Sequence, residues 1–317
     1  MSARGAPTIV STRCLHFDCF AGAAGDMILG ALVDAGLPVQ VLEEALGPLA
    51  LEVDLRVERV VRGGITGTAF QVVERRPPSG HPHRHLKAIV ELVGRAAASG
   101  AARARAIELL TRLAAIEAEI HGSQLERVHL HEVGGTDSIV DVLGAVVAFE
   151  WFGAARVTCS PINVGSGTVH TAHGLLPVPA PATARLVKGV PVFAEGAPME
   201  RLTPTGALLL TGYAERFGGP PPLRITAIGY GAGSRETAGI PNVLRVLVGE
   251  SADAGDEAEE TVAVLECQVD DASPQVLGAL MERALGAGAL DVYFTPVGMK
   301  KNRPGTHVTV VAGPADR

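Results

Sequence analysis

The chain has 317 residues, 47% of them hydrophobic, 19% charged and only 4% aromatic, with a mean hydropathy of +0.26. Such a composition is too apolar for disorder and ample for a buried core, in one large domain or two smaller ones. Lysine and arginine number 27 against 34 acids, a net charge of −7, which argues against a nucleic-acid partner. No apolar run approaches the roughly 20 residues of a membrane span. The N-terminal stretch lacks the apolar core of an export signal. The four cysteines (Cys14, Cys19, Cys159, Cys267) show no CxxC pairing. These features predict a cytoplasmic protein with reduced thiols and no membrane partner.

In chain order, residues 13–20 read as a strand, Gly22-Ala-Ala-Gly25 as a turn, and 26–36 as a helix with apolar spacing. A second helix covers 39–46. Residues 51–61 and 65–74 alternate around Arg62-Gly63-Gly64, a hairpin signal. Helices are predicted over 85–98, 101–121 and 137–152. The Gly/Pro-rich stretch 160–181 reads as loop with short strands. A helix over 205–217 and strands over 223–230 and 243–248 follow. Alternating element types indicate an α/β (or α+β) class.

Residues 251–260 (SADAGDEAEE) hold five acids and no aliphatic side chain larger than alanine, the composition of a linker. Domains are therefore expected at 1–250 and 261–317, the first handling metal and substrate. The second reads strand (262–269), helix (274–287), strand (289–297), strand (307–312), the opening part of a ferredoxin-like layer. Being this short, it is expected to be an incomplete module, with 308–312 as an unpaired edge strand that pairs with a second chain or another copy.

Five constellations carry candidate chemistry. Asp18 and Asp26 flank Gly22 and Gly25, where a strand feeds a helix start: backbone N–H groups suit a phosphate, and the carboxylates suit a bridging cation. His81, His83 and His85 alternate in a Pro-bounded loop, a set suited to weak binding of nickel-like metals, or else a solvated polar loop. His129 and His131 alternate beside Glu132, while Asp137 and Asp141 share one helix face, a mixed nitrogen/oxygen set for a transition metal. Helix capping alone explains Asp137 but not both histidines. Gly165, Gly167, Thr205 and Gly206 belong to irregular backbone and a helix start that could receive an anion, or could be plain turn chemistry. Finally Lys300, Lys301 and Arg303 suit a polyphosphate, with Asp270 and Asp271 as ligands for Mg²⁺ or Mn²⁺; an exposed basic hairpin is the bland alternative.

The strings FDCFAGAAGDM, HLHEVGGTDSIVD, SPINVGSGTVHTAHGLLPVPAPAT, LTPTGA, GYGAGSRE, PNVLRV and GALDVYFTPVGMKKNRPGT, in that order, resemble the LarC-type nickel-insertion family. The resemblance runs from Leu15 almost to the end. It implies a cytosolic nickel chelatase of the lyase class. Such an enzyme places Ni²⁺ into a thiolated pyridinium mononucleotide (pyridinium bisthiocarboxylic acid mononucleotide), making the nickel pincer cofactor of lactate racemase. It also implies use of CTP with Mg²⁺ or Mn²⁺ by the C-terminal module, and assembly into oligomers. The family's nucleotide module continues beyond the position of Arg317, so weak or absent CTP binding and inactivity of the chain by itself are expected. Two other functions are compatible with the same residues: a metal-dependent phosphohydrolase, and a non-catalytic nickel metallochaperone subunit. The metal set is expected to gather in one pocket near residues 18–26.

Overall fold

A computed structural model describes residues 11–75, 84–125, 135–171, 174–236, 239–252 and 262–313. The chain is a mixed α/β protein that divides into two units, residues 1–253 and 254–317. In the first, β1 (Ser11–Asp18) turns into α1 (Gly25–Asp34) and α2 (Val39–Leu46), then into the hairpin β2 (Val53–Arg62) and β3 (Ile65–Glu74). Three helices follow: α3 (Leu86–Gly94), α4 (Gly100–Ile120) and α5 (Thr136–Trp151). Next come β4 (Arg156–Cys159), β5 (Ile162–Asn163), β6 (Thr168–Thr171), β7 (Gly174–Pro177), α6 (Pro181–Leu186) and β8 (Val192–Phe193). The unit closes with α7 (Pro204–Tyr213), β9 (Arg216–Phe217), β10 (Arg224–Ala232) and β11 (Val243–Ala252).

Seven of these strands form one sheet in the order β2-β3-β10-β11-β1-β4-β9. It is parallel where β3 meets β10 and where β4 meets β1 and β9, and antiparallel elsewhere. The helix α5 explains the core. Its sequence TDSIVDVLGAVVAFEW is apolar nearly all round, and every residue from Ser138 to Phe149 is buried. A helix without a polar face belongs inside. Phe149 meets Phe17 of β1 edge-to-face at 5.8 Å and Tyr213 of α7 at 4.5 Å, linking sheet and helices. On β10, Gly229 and Gly231 face α1: a Cβ on either would collide with the Ala31 or Met27 carbonyl. Their missing side chains let α1 lie close against the sheet, which positions its N-terminus.

Two helices end earlier than their periodicity predicts. Helix α3 stops at Gly94 because the next turn is claimed from outside. Ala97 donates its N–H to the Ala45 carbonyl (3.0 Å), and Arg103 Nη1 binds the carbonyls of Ala96 (3.2 Å) and Ala98 (2.6 Å). Helix α7 stops at Tyr213 because Glu215 N–H donates to Val157 O (3.0 Å), recruiting β9 to the edge of β4.

The second unit is β12 (Ala263–Val269), α8 (Pro274–Gly286), β13 (Asp291–Met299) and β14 (Arg303–Ala312). The sheet order is β12-β14-β13, antiparallel throughout, as in the first half of a ferredoxin-like layer. The expectation of an edge strand at 308–312 is therefore corrected: β14 is central, paired on both sides. The tight connection at Lys300–Asn302, with Lys301 (φ +63°) and Asn302 (φ +59°) left-handed, folds β14 directly back on β13. The other side of β14 then receives β12, and among the described residues the outer edges belong to β12 and β13. No described helix is long and apolar enough to cross a membrane.

The α1–β10 contact yields a stability prediction. Gly231→Ala should destabilise the protein by about 1–3 kcal/mol through overpacking. Gly219→Ala, where a Cβ meets nothing within 4 Å, should stay within about 0.5 kcal/mol. Urea denaturation midpoints of the two variants check this.

Candidate functional site

Three irregular segments meet above α1. Backbone hydrogen bonds run from Ala23 N–H to Arg201 O (2.9 Å) and from Thr203 N–H to Ala23 O (3.1 Å), so residues 201–203 run as a short parallel bridge beside Ala23. Ser166 N–H donates to Met199 O (3.1 Å), adding the 163–167 loop. Asn163 locks these loops from within. Its Nδ2 donates to Phe20 O (2.9 Å) and Glu195 O (3.2 Å), while its Oδ1 accepts from Gly165 N–H (3.1 Å) and Glu195 N–H (3.2 Å). Thr203 caps α7 by accepting from Gly206 N–H (3.2 Å) and lies 3.2 Å from Thr205 Oγ1.

The glycines named as phosphate candidates sit in this meeting point, and each has a packing duty. A Cβ on Gly22 would strike the Arg201 backbone, on Gly165 the Met199 carbonyl, and on Gly206 the Ala23 carbonyl. At Gly167 it would crowd the Pro198 ring at 3.1 Å, and at Gly25 it would strike the Asp141 carboxylate. Close passage of backbone accounts for these glycines, whatever else they do.

Helix starts α1 and α5 bring carboxylates together. Asp26 stands in the first turn of α1, with Oδ1 accepting from Met27 N–H at 2.8 Å. Asp137 lies in the first turn of α5 and is exposed, whereas Asp141, one turn further, is buried. Burial pushes the Asp26 carboxyl up to about 6, with the Asp137 charge adding to the shift. Burial raises Asp141 well above the usual carboxylate range, and Asp26 and Asp137 push it further. Among the described residues its Oδ1 has no hydrogen-bond partner. Asp18 stands apart from this group in its pairing: it forms an ion pair with Arg245 of β11.

The histidines divide. His129, His131, Glu132, His81 and His83 lie outside the described residues. His85 is exposed and immediately precedes α3. Its neighbour Arg84 donates to Thr136 Oγ1 at 3.3 Å, which brings the end of the HPHRH segment to the start of α5 beside Asp137. Among the described residues, no group of three or more His, Cys, Asp and Glu stands at metal-binding spacing. Three carboxylates influence one another there, but they do not form a metal cage by themselves.

In the second unit, Arg303 lies 3.5 Å from Asp270, an exposed pair next to the connection that carries Lys300 and Lys301. Asp271 is also exposed, directly after β12. Lys300, Lys301, Arg303 and Asp270 thus share one end of this small sheet.

Sequence reasoning missed Arg201, Arg235 and Asn242. They line a cavity of about 170 Å³ with Asp26, Thr203 and Ser234. A single arginine between Glu200 and Leu202 looks in sequence like surface charge; only its burial at 4% exposure marks it.

The family model described as nickel insertion protein matches residues 15–317, and the chain belongs to that family. A Geobacter sulfurreducens protein provisionally named as a nickel insertion protein is 48% identical over 309 residues, covering 96% of this chain and 78% of its own length. The pyridinium-3,5-bisthiocarboxylic acid mononucleotide nickel insertion protein of Desulfitobacterium hafniense is 45% identical over 304 residues, covering 94% of this chain and 74% of that protein. A solved structure of LarC2, the C-terminal domain of a cyclometallase involved in synthesis of the NPN cofactor of lactate racemase, is 42% identical. It covers 18% of this chain and 41% of that domain, with a TM-score of 0.17.

The raised carboxyls predict a pH dependence. The folded state holds protons at Asp26 and Asp141 that the unfolded chain has already lost above pH ~4. Stability from these groups therefore falls as pH rises from about 4 through the folded values. Asp141→Asn does not ionise. Its melting temperature relative to the wild type should climb between pH 4 and pH 7, and a flat difference in scanning fluorimetry would contradict the buried assignment.

Proposed function

We propose that this chain inserts Ni²⁺ into pyridinium-3,5-bisthiocarboxylic acid mononucleotide. The observation that carries the reading is the family match across residues 15–317, together with relatives of that name at 45% identity over nearly the whole chain. The chemistry of the described residues is compatible with it. Nickel is the cargo: it must be held by labile oxygen and nitrogen donors and surrendered to softer thiocarboxylate sulfurs. Asp26, Asp137 and Asp141, with His129, His131, Glu132, His81, His83 and His85, are the proposed donors. A carboxyl titrating near 6, such as Asp26, exchanges protons readily at neutral pH, as loading and release of a cation require.

The lyase assignment, a cytoplasmic location and use of CTP with Mg²⁺ or Mn²⁺ through Lys300, Lys301, Arg303, Asp270 and Asp271 complete the proposal. A partner for the second unit belongs to it as well. Helix α8 buries none of its residues, and Val264, Leu265, Val276, Leu280 and Leu285 are exposed. Exposed aliphatic side chains in this number support contact with another copy or another chain.

With the partner of its second unit present, the chain incubated with Ni²⁺, CTP and the thiolated mononucleotide should yield a nickel adduct by mass spectrometry. Asp26→Asn should cut the yield at least tenfold while shifting the melting temperature by only a few degrees. Full adduct formation by that variant would remove Asp26 from the nickel path.

A further inference from the structure

Strand β2 is the outermost strand of the seven-stranded sheet, and among the described residues only β3 pairs with it. The turn between them fixes how its backbone points. Arg62 and Ile65 close a two-residue turn in which Gly63 (φ +52°) and Gly64 (φ +86°) are both left-handed, so the closing pair is hydrogen-bonded. Even-numbered residues therefore turn N–H and C=O toward β3, as Glu52, just before the strand, does in accepting from Arg75 N–H (2.8 Å). Odd-numbered residues turn theirs outward. At the two ends, Val53 N–H and Val61 O find local partners in Leu51 O (2.9 Å) and Arg62 Nη1 (3.1 Å). Between them Leu55, Val57 and Arg59 present a row of backbone donors and acceptors, which is a template for another strand.

Charged side chains on an edge ordinarily keep a second strand away. Their order here does the reverse for one partner, the β2 of a second copy running antiparallel. Outward groups must meet outward groups, so only registers that set odd residues against odd are open. A pairing centred on Val57 sets Arg56 against Glu58 twice, Val53 against Val61 twice, and Val57 against itself. Leu55 then meets Arg59, and Asp54 meets Val60. A centre on Arg56 opposes that arginine to its own copy and Asp54 to Glu58; a centre on Glu58 opposes that glutamate to itself. Arg56 and Glu58 are both exposed, and among the described residues neither has an ion-pair partner. In the Val57 register they fall in non-hydrogen-bonded pairs, whose side chains stand closest.

The apolar side chains agree with this register. Val57 is 36% and Val61 55% exposed. Beside the start of β2, Leu46 of α2 with Leu51, Val53 and Leu55 lines a groove of about 470 Å³. Directly opposed residues put their side chains on one face of a sheet, so Val61 of the second copy, facing Val53, comes to this groove.

We propose that β2 pairs antiparallel with the β2 of a second copy about a two-fold axis at Val57, merging two seven-stranded sheets into one. A two-fold contact is self-complementary, so each unlike pair is made twice. The surface belongs wholly to the first unit, is separate from the exposed aliphatic side chains of the second, and does not rest on the nickel-insertion reading.

Sedimentation velocity of the full chain over a dilution series tests it. The wild type should associate reversibly. Arg56→Glu sets glutamate against Glu58 at two points and should raise the dissociation constant about tenfold; Glu58→Arg should do the same. The double variant R56E/E58R restores unlike charges and should return the wild-type constant, which a loss of folding in the single variants could not explain. If the second unit also self-associates, the single variants keep that smaller assembly and lose only the β2 step. A wild type that is monomeric throughout, single reversals that leave the mass unchanged, or a double variant that does not recover overturns the proposal.

Discussion

The site depends on one short parallel bridge, in which Ala23 is held between Arg201 O and the Thr203 N–H. The two hydrogen bonds join the turn after β1 to the segment leading into α7, and each turn can close only because glycines allow the backbones to touch. Gly22, Gly165 and Gly206 serve that purpose at three separate crossings. Helix α1 and helix α7 consequently start side by side, and Asn163 ties the remaining loops to them through four hydrogen bonds. Backbone polar groups in so crowded a place must all find partners, and this network supplies them.

The bridge lies beside a group of carboxylates. Asp26, Asp137 and Asp141 gather where α1 and α5 begin, and the positive ends of helix dipoles temper the repulsion among them. Burial still dominates, leaving Asp26 near 6 and Asp141 higher. Arg201, whose carbonyl accepts from Ala23 in the bridge, is buried, and among the described residues its guanidinium nitrogens have no acceptor. Asp18, by contrast, is already neutralised by Arg245, and its carboxylate is committed to holding β1 against β11.

The second unit follows a different logic. Its three strands bury few side chains, and α8 packs on β13 without burying any of its own residues. The basic connection at Lys300–Asn302 is held in left-handed conformations at Lys301 and Asn302, which cost of order 1–3 kcal/mol each where a non-glycine residue adopts a sparsely populated region. Such geometry presents Lys300, Lys301 and Arg303 at one end of the sheet, beside Asp270.

Much of the fold could be read from the sequence. Hydrophobic periodicity located α2 and α5 within a residue or two, Arg62-Gly63-Gly64 marked the β2–β3 hairpin, and the strand–helix–strand–strand order of the second unit was evident. The ends of α3 and α7 could not be read, because Ala45 and Val157, from distant parts of the chain, and Arg103, in the first turn of α4, claim those backbone groups. The place of β14 between β12 and β13 was likewise hidden, since strand order is set by pairing in space and leaves no periodic mark in the sequence. At the site, local spacing brought out Asp26, Asp137 and Asp141 as residues of interest and the glycines as turn formers. That Asp26 and Asp141 share a buried environment, that Asp18 is paired elsewhere, and that Arg201 lies buried without an acceptor were decided only by the tertiary structure. Residue type and spacing specify what a side chain can do, but burial and partners determine its charge state, and those come from segments more than a hundred residues away.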